Sequence, residues 1–375
     1  MIRFPKNLLK FSNARPVDKP FLVVFLMILI VGLFVFFSAS FGLLARGEVE
    51  MSSVLKSQFG LGVLIGGILC YFASRIHPQS FRKLSLFFFL FTFVLNLLVF
   101  VPGLGMTHGG ATRWLDFGIT TFQPSELLKI AFIMYFASWI SGISRRSSSR
   151  LHSLLPTIII VALTLLAFFL QKDTDNAIIL MIVAGFMYLV GGGKIKDALI
   201  MAVIGVLFVG GWVMTHPYLQ DRIHTYLSPN SNLQTTGYQT NQSLIAIGSG
   251  GLFGKGFGQS IQKFGKLPEP IGDSVFAVAG EEFGFVGLLA LVILFMFFAF
   301  FGFRVAILSD DAFGRLVAFG IVILIIFQSF INMFAMIGII PMSGLPLVFV
   351  SHGGSSLMVA LLSVGIIFSI SRYAK

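Results

Sequence analysis

The chain has 375 residues, 56% of them apolar and only 11% charged, with a mean hydropathy of +0.94. Soluble domains carry about 25% charged residues, so the composition excludes a water-soluble globule and points to an all-α, polytopic membrane protein. The net charge of +11 would suggest nucleic acid in a soluble chain; here the distribution of charge along the chain decides, and no nucleic-acid partner is expected.

In chain order, residues 1–20 form a basic tail (Arg3, Lys6, Lys10, Arg15, Lys19). It reads as a topological anchor at anionic lipid, with a site for a cytoplasmic partner as the alternative. The apolar run that follows has no small-x-small cleavage site, so it reads as a retained first span. Spanning takes about 20 apolar residues, and ten segments qualify: 21–40, 58–74, 84–101, 125–141, 154–170, 177–190, 198–214, 274–301, 315–334 and 354–370. Together they make residues 21–375 one transmembrane domain. The lone Cys70 lies within the second segment and excludes an intramolecular disulfide.

Charge tests this arrangement independently. With the N-terminus in the cytoplasm, seventeen of the 26 Lys and Arg fall on the inner side, against four of the 15 Asp and Glu. That asymmetry obeys the positive-inside rule. It puts both termini in the cytoplasm and the stretch of about sixty residues between the seventh and eighth spans (about 215–274) outside; a connection that long is usually functional.

Ionisable groups at the ends of apolar helices are costly, so each is a functional candidate. Ala111-Thr-Arg-Trp-Leu-Asp-Phe-Gly118 precedes Gln123-Pro-Ser-Glu-Leu-Leu-Lys129. Glu126 and Lys129 are three apart on one helix face and can pair, either as a structural ion pair or as the wall of a substrate cavity. Arg113 suits bidentate phosphate binding; Trp114 reads as an interfacial anchor. Asp173 and Asp175 read as caps of the sixth span. The glycine-rich Gly248–Gly258 stretch fails the phosphate-loop spacing, because Lys255 is followed by Gly256 rather than Ser or Thr. A tight turn against a ligand or other backbone fits better.

Lys263 and Lys266 then lead through Pro268 and Pro270 to Asp273, which could cap the eighth span or perform chemistry. Glu281 and Glu282, about two turns further in, need partners or water and could anchor the loop. Pro341–Pro346 and Ser351–Ser356 read as a broken, re-entrant connection. His352 within it reads as a packed, satisfied histidine, although histidine can titrate near neutral pH.

These clusters, in this order, resemble the SEDS family, which includes the FtsW and RodA glycosyltransferases. The matching residues are Arg113-Trp114, Gln123-Pro-Ser-Glu126 with Lys129, Tyr238-Gln239 through Gln242-Ser243, Gly251-Leu-Phe-Gly-Lys-Gly256, Leu267-Pro-Glu269, Asp273, Glu281-Glu282-Phe-Gly284, Pro341-x-x-Gly344 and Ser351-x-Gly-Gly-Ser-Ser356. The resemblance implies ten transmembrane helices in the bacterial cytoplasmic membrane and polymerisation of lipid II into β-1,4-linked glycan. It implies Asp273 as the catalytic carboxylate, and as partners a class B penicillin-binding protein transpeptidase, undecaprenyl-diphosphate-linked glycan and other divisome or elongasome proteins. Ile271-Gly272, His352 and the Asp173–Ala177 run depart from common family residues, and the division branch is modestly favoured.

Glycosyl transfer from a lipid diphosphate needs one base and cationic support for the leaving group. Asp273 is the expected base of an inverting displacement. Arg113, Lys129, Lys255, Lys263 and Lys266 are the candidate cations, and Glu126, Ser355 and Ser356 complete the expected substrate-binding set. A divalent ion, Mg or Mn, is left open, since no ligand spacing specifies one. The rival readings are a lipid-linked precursor flippase, whose coupling charges should lie near mid-bilayer, and a non-catalytic division scaffold.

Overall fold

The computed structural model describes residues 15–45, 48–108, 111–116, 118, 121–143, 150–228 and 236–374; the tail up to residue 14 and the arginine-bearing connection at 144–149 lie outside the described residues. Helix α1 (Lys19–Ser40) begins where the Asp18 carboxylate accepts the Phe21 N–H at 3.0 Å, with Pro20 in the first turn. Its buried positions Phe21, Phe25, Ile28, Gly32, Val35 and Phe36 recur at helical spacing, while Val23, Met27, Ile30 and Phe34 face outward. A helix apolar on all sides belongs in a membrane or a deep core.

Helix α2 (Glu48–Leu55) continues through wider turns at Lys56–Ile65 into α3 (Gly66–Arg75), followed by α4 (Pro78–Leu97). A small antiparallel sheet comes next, β1 (Gly105–His108), β2 (Ala111–Asp116) and β3 (Thr121–Phe122) in that order. The chain then forms α5 (Pro124–Ile143), α6 (Arg150–Leu170), α7 (Thr174–Val190), α8 (Ile195–Thr215), α9 (Pro217–Leu227), α10 (Thr236–Ser249), α11 (Val275–Leu308), α12 (Ala312–Met336) and α13 (Gly354–Arg372).

Eight of the ten predicted apolar segments each fall on one of these helices, give or take an end residue; 58–74 runs through the wider turns into α3, and 84–101 continues past the end of α4. Among the described residues, seven helices are long and apolar enough to cross a membrane, and the apolar parts of α6 and α7 are shorter. The protein is a multi-pass membrane protein. Two features depart from a purely helical reading. The sheet between α4 and α5 was not anticipated, because its strands are too short to show an alternating pattern. The predicted outer connection is not one loop: it contains α9 and α10.

Hydrogen bonds fix the two faces. The Arg15 N–H reaches the Arg372 carbonyl at 3.0 Å, and Arg304 lies 3.4 Å from Asp18, so the two ends of the described chain share one face. At the other end of α1, Lys263 Nζ donates to the Ser38 carbonyl at 3.0 Å, which puts residues 250–274 on the opposite face.

Lipid tails are as apolar as leucine, so close packing and buried hydrogen bonds, rather than water exclusion, hold such helices together. Helices α12 and α13 form the buried centre, whereas α8 buries only Asp197 and Gly205. Glycines bring α3 and α13 together: a Cβ on Gly66 would stand 2.9 Å from Met358 Cα, and one on Gly365 2.5 Å from the Cys70 carbonyl oxygen.

Helix α11 is broken near its outer end, where Gly284 adopts φ 65° and ψ −166°. The glycine-rich stretch after α10 enters this break. Lys255 and Gly256 donate N–H groups to the Glu281 and Glu282 carbonyls at 3.0 and 2.9 Å. Phe285 and Val286 in turn donate to the carbonyls of Gly251 and Leu252 at 2.9 and 3.1 Å. Backbone groups released by the kink are thereby satisfied, as burial in a membrane demands. The approach requires glycine, since a Cβ on Gly254 would stand 2.1 Å from the Glu282 carbonyl oxygen and one on Gly284 2.4 Å from the Gly254 nitrogen.

Gly284→Ala should therefore cost roughly 2–3 kcal/mol through strain and overpacking and lower the melting temperature in detergent. Gly248→Ala, where an added Cβ meets nothing within 4 Å, is the control expected to melt like the unsubstituted protein.

Candidate active site

Two buried ion-pair networks support the face that carries residues 250–274. In the first, Lys263 Nζ lies 2.7 Å from Glu282 Oε1 with both side chains fully buried, and Ser38 Oγ donates to Glu282 Oε2. Lys255 Nζ lies 2.7 Å from Glu281 Oε1. The Glu281 carboxylate also accepts Ser260 Oγ at 2.6 Å and the N–H groups of Ile261 and Gln262 at 3.2 Å. The two glutamates thus clamp residues 255–263 onto α1 and α11, which gives them the anchoring role open in the sequence. The same geometry corrects the expectation for Lys263: buried against Glu282, its ammonium is closed to a phosphate. Lys255 is part-exposed but already paired.

In the second, Lys129 donates to Glu126 Oε1 at 2.9 Å, Asn176 Oδ1 at 2.8 Å and Gln328 Oε1 at 2.9 Å. An ammonium has three protons, so all are placed. Ser356 Oγ donates to Glu126 Oε2 at 3.4 Å, and Ser355 is buried one residue earlier. The adjoining cavity is about 20 Å³, lined by Glu126, Lys129, Gln328 and Ser356 among others. That is room for one water and not for a sugar. Here Glu126, Lys129 and Ser356 tie α5, α7, α12 and α13 together instead of walling a substrate cavity.

The network continues outward, where Asn176 Nδ2 donates to Asp173 Oδ2 at 2.9 Å. Arg113, presented by β2, lies 3.8 Å from Asp173 and donates to the carbonyls of Gln171 and Lys172. Neither Asp173 nor Asp175 acts as a cap. Asp173 occupies the N-cap position of α7 without a capping bond. Asp175 instead accepts Arg222 Nη1 at 3.1 Å and the Gly344 N–H at 3.0 Å.

Asp273 sits in a tight turn, in which Gly272 and Ser274 both donate to the Glu269 carbonyl at 3.1 Å and Glu269 takes φ 44° between two prolines. The turn is held from behind. Asn332 Nδ2 donates to the Asp273 carbonyl at 2.8 Å, Ser351 Oγ to the Gly272 carbonyl at 2.8 Å, and the His352 N–H to the Ile271 carbonyl at 2.7 Å. The His352 ring stacks on Phe36. Ser274 rather than Asp273 is the N-cap of α11, so the capping reading of Asp273 is not met.

Among the described residues the Asp273 carboxylate accepts no hydrogen bond and forms no ion pair, unlike those of Glu126, Asp173, Asp175, Glu281 and Glu282. It points where Gly344 leaves space: a Cβ on that glycine would lie 3.8 Å from Oδ2 of both Asp273 and Asp175 and 3.9 Å from Arg222 Nη2. Burial, reinforced by the negative charges of Glu269 and Asp175, pushes the Asp273 carboxyl up to about 7 against the opposing pull of Arg222 and Arg113. A carboxyl balanced near neutrality is suited to taking a proton.

Arg222 and Asp175 were not among the sequence's site candidates, although Arg222 is a cation on the side expected to lie outside, where the positive-inside rule expects few. Lys266 is exposed on the same face as Asp273 and makes no ion pair among the described residues. Among the described residues no three metal-ligating side chains converge. Asp175 is already paired with Arg222 at 3.1 Å, so the described residues do not fit a protein-held divalent ion.

Residues 19–375 match a family profile described as "Cell cycle protein", FTSW_RODA_SPOVE. The chain is 34% identical over 358 residues to stage V sporulation protein E of Bacillus subtilis, covering 96% of this chain and 98% of that one. It is 36% identical over 360 residues to a probable peptidoglycan glycosyltransferase FtsW of a Geobacter species, covering 95% and 98%. Two solved structures share the fold. One is a chain from work on structural coordination of polymerization and crosslinking by a peptidoglycan synthase complex, with TM-score 0.78, 24% identity and coverage of 96% and 99%. The other is the rod shape determining protein RodA of Thermus thermophilus, with TM-score 0.69, 23% identity and coverage of 96% and 98%.

Removing one partner of a buried ion pair costs about 3–5 kcal/mol. Lys263→Met should therefore lower the detergent melting temperature sharply, and Lys263→Met with Glu282→Leu should recover part of the loss. Equal melting of both variants and the unsubstituted protein would show that the pair does not hold the loop.

Proposed function

The chain belongs to the FtsW, RodA and SpoVE family, and from that premise we propose that it is a peptidoglycan glycosyltransferase polymerising lipid II at the outer face of the bacterial cytoplasmic membrane, with both termini in the cytoplasm. The observation that carries the proposal is the Asp273 carboxylate, unbonded among the described residues and pushed up to about 7, on the face expected to lie outside. A precursor flippase would need charge chemistry along a path through the bilayer. The charges placed deeper, Glu126 and Lys129, are instead locked beside a cavity of about 20 Å³.

In this reaction Asp273 takes the proton of the acceptor sugar's 4-hydroxyl. The oxygen attacks the anomeric carbon of the donor, the bond to the lipid diphosphate breaks on the opposite side, and the configuration inverts from α to β. Negative charge grows on the departing diphosphate. Arg222 is nearest to Asp273, and Arg113 and the exposed Lys266 also reach the outer face. These three take over the part expected of the buried lysines. Asn332 and Ser351, which hold the turn from behind, keep Asp273 in register with the acceptor. A class B penicillin-binding protein is the transpeptidase partner that would cross-link the product.

A general base works only when deprotonated. With the pKa near 7, kcat/KM for polymerisation of labelled lipid II should rise through neutrality and fall about tenfold per pH unit well below it. Asp273→Asn, assayed with the partner present, should yield no glycan polymer. Polymer at the unsubstituted rate would remove Asp273 from the mechanism.

A further inference from the structure

Asp175 lies in the first turn of α7 and reaches two other segments at once. Its Oδ2 accepts Arg222 Nη1 of α9 at 3.1 Å and the Gly344 N–H of the α12–α13 connection at 3.0 Å. Arg222 is also placed by neighbouring contacts between α7 and α9: its guanidinium carbon lies 5.9 Å from the Tyr218 ring centroid, and the Tyr218 hydroxyl meets Thr174 Oγ1 at 3.1 Å. Gly344 is the point all three charged groups surround, with Asp273 Oδ2, Asp175 Oδ2 and Arg222 Nη2 each just under 4 Å from where a Cβ would stand. A single methyl there would touch all three in ordinary van der Waals contact.

We propose that Asp175 is a positioning residue for the reaction at Asp273, holding the Arg222 guanidinium at the mouth of the site and setting a second negative charge across from the catalytic carboxylate. The inference rests on Asp273 being the general base. It assigns Asp175 two effects that separate experimentally. As a tether it orients the cation that meets the leaving diphosphate. As a charge it favours the protonated form of Asp273 and so keeps that carboxylate a stronger base at neutral pH.

The charged groups facing Asp273 are Glu269 in its own turn, Asp175 of α7, Arg222 of α9 and Arg113 of β2. The α12–α13 connection adds His352, which faces the turn through its backbone N–H while its ring stacks on Phe36. Helix α12 faces it with the neutral Asn332. Removing the Asp175 charge leaves Arg222 less neutralised as well, so both changes stabilise ionised Asp273. Removing Arg222 does the reverse.

The test is the pH profile of kcat/KM for polymerisation of labelled lipid II by the full chain with its class B partner. It compares the unsubstituted protein with Asp175→Asn, Asp175→Glu and Arg222→Gln. Asp175→Asn, which keeps an acceptor for the Gly344 N–H, should move the acidic limb down by about one pH unit. Arg222→Gln should move it up, and Asp175→Glu should restore the unsubstituted position. Limbs that do not move, limbs that move in the same direction, or an Asp175→Asn protein silent at every pH would overturn the proposal and leave Asp175 a purely structural tie. Asp273→Asn in parallel separates the two inferences. Polymer from it at the unsubstituted rate sinks the general-base reading itself, whereas an inactive Asp273→Asn with unmoved limbs sinks only the part given to Asp175.

Discussion

The break in α11 at Gly284 is the constraint on which the outer face depends. A helix interrupted inside an apolar layer exposes carbonyls and N–H groups that lipid cannot satisfy. Here the glycine-rich stretch after α10 supplies all four replacements, from Gly251, Leu252, Lys255 and Gly256. Once that exchange is made, Glu281 and Glu282 face the stretch that follows, and their carboxylates clamp it through Lys255, Ser260 and Lys263. The Asp273 turn closes the same segment as it enters α11. Its position is inherited from the break.

The site is assembled from parts distant in the chain. Arg113 comes from β2, Asp175 from α7, Arg222 from α9, Asp273 from the entry to α11 and Gly344 from the connection before α13. The Lys129 network sits directly beneath and joins α5, α7, α12 and α13 through bonds of 2.8 to 2.9 Å and one of 3.4 Å. Its function is rigidity: it keeps the helices that deliver Asp175 and Gly344 at a set separation.

Much of the fold was legible in the sequence because membrane spans announce themselves by length and hydropathy. The roles of individual ions were less so. Lys263 and Glu282 are both visible as costly charges, but their pairing runs across 19 positions of irregular chain and follows no helical spacing. For Asp273 the sequence offers a helix cap or chemistry, and the fold removes the cap, since its neighbour Ser274 holds that position. Arg222 was hidden in what read as a plain connection, because α9 is short and only weakly apolar. Asp175 looked like a cap because first-turn aspartates usually are, and only the fold brings Arg222 and Gly344 to it. The sheet escaped because its longest strand has six residues, too few for a period to show.

The clamped segment and its flanks also carry large apolar side chains with none of the described residues over them: Phe253 is 80% exposed, Leu252 65%, Ile261 58% and Phe264 46%. Water is a poor home for such surface, at about 25 cal/mol per Å², whereas the boundary between acyl chains and headgroups accepts aromatic rings well. Such residues suit a waterline, a ring that sets the draught at which the protein floats. If Asp273 performs the proposed transfer, a substrate anchored by its own tail and a carboxylate held at that level would meet in a plane, and their search for one another would be two-dimensional.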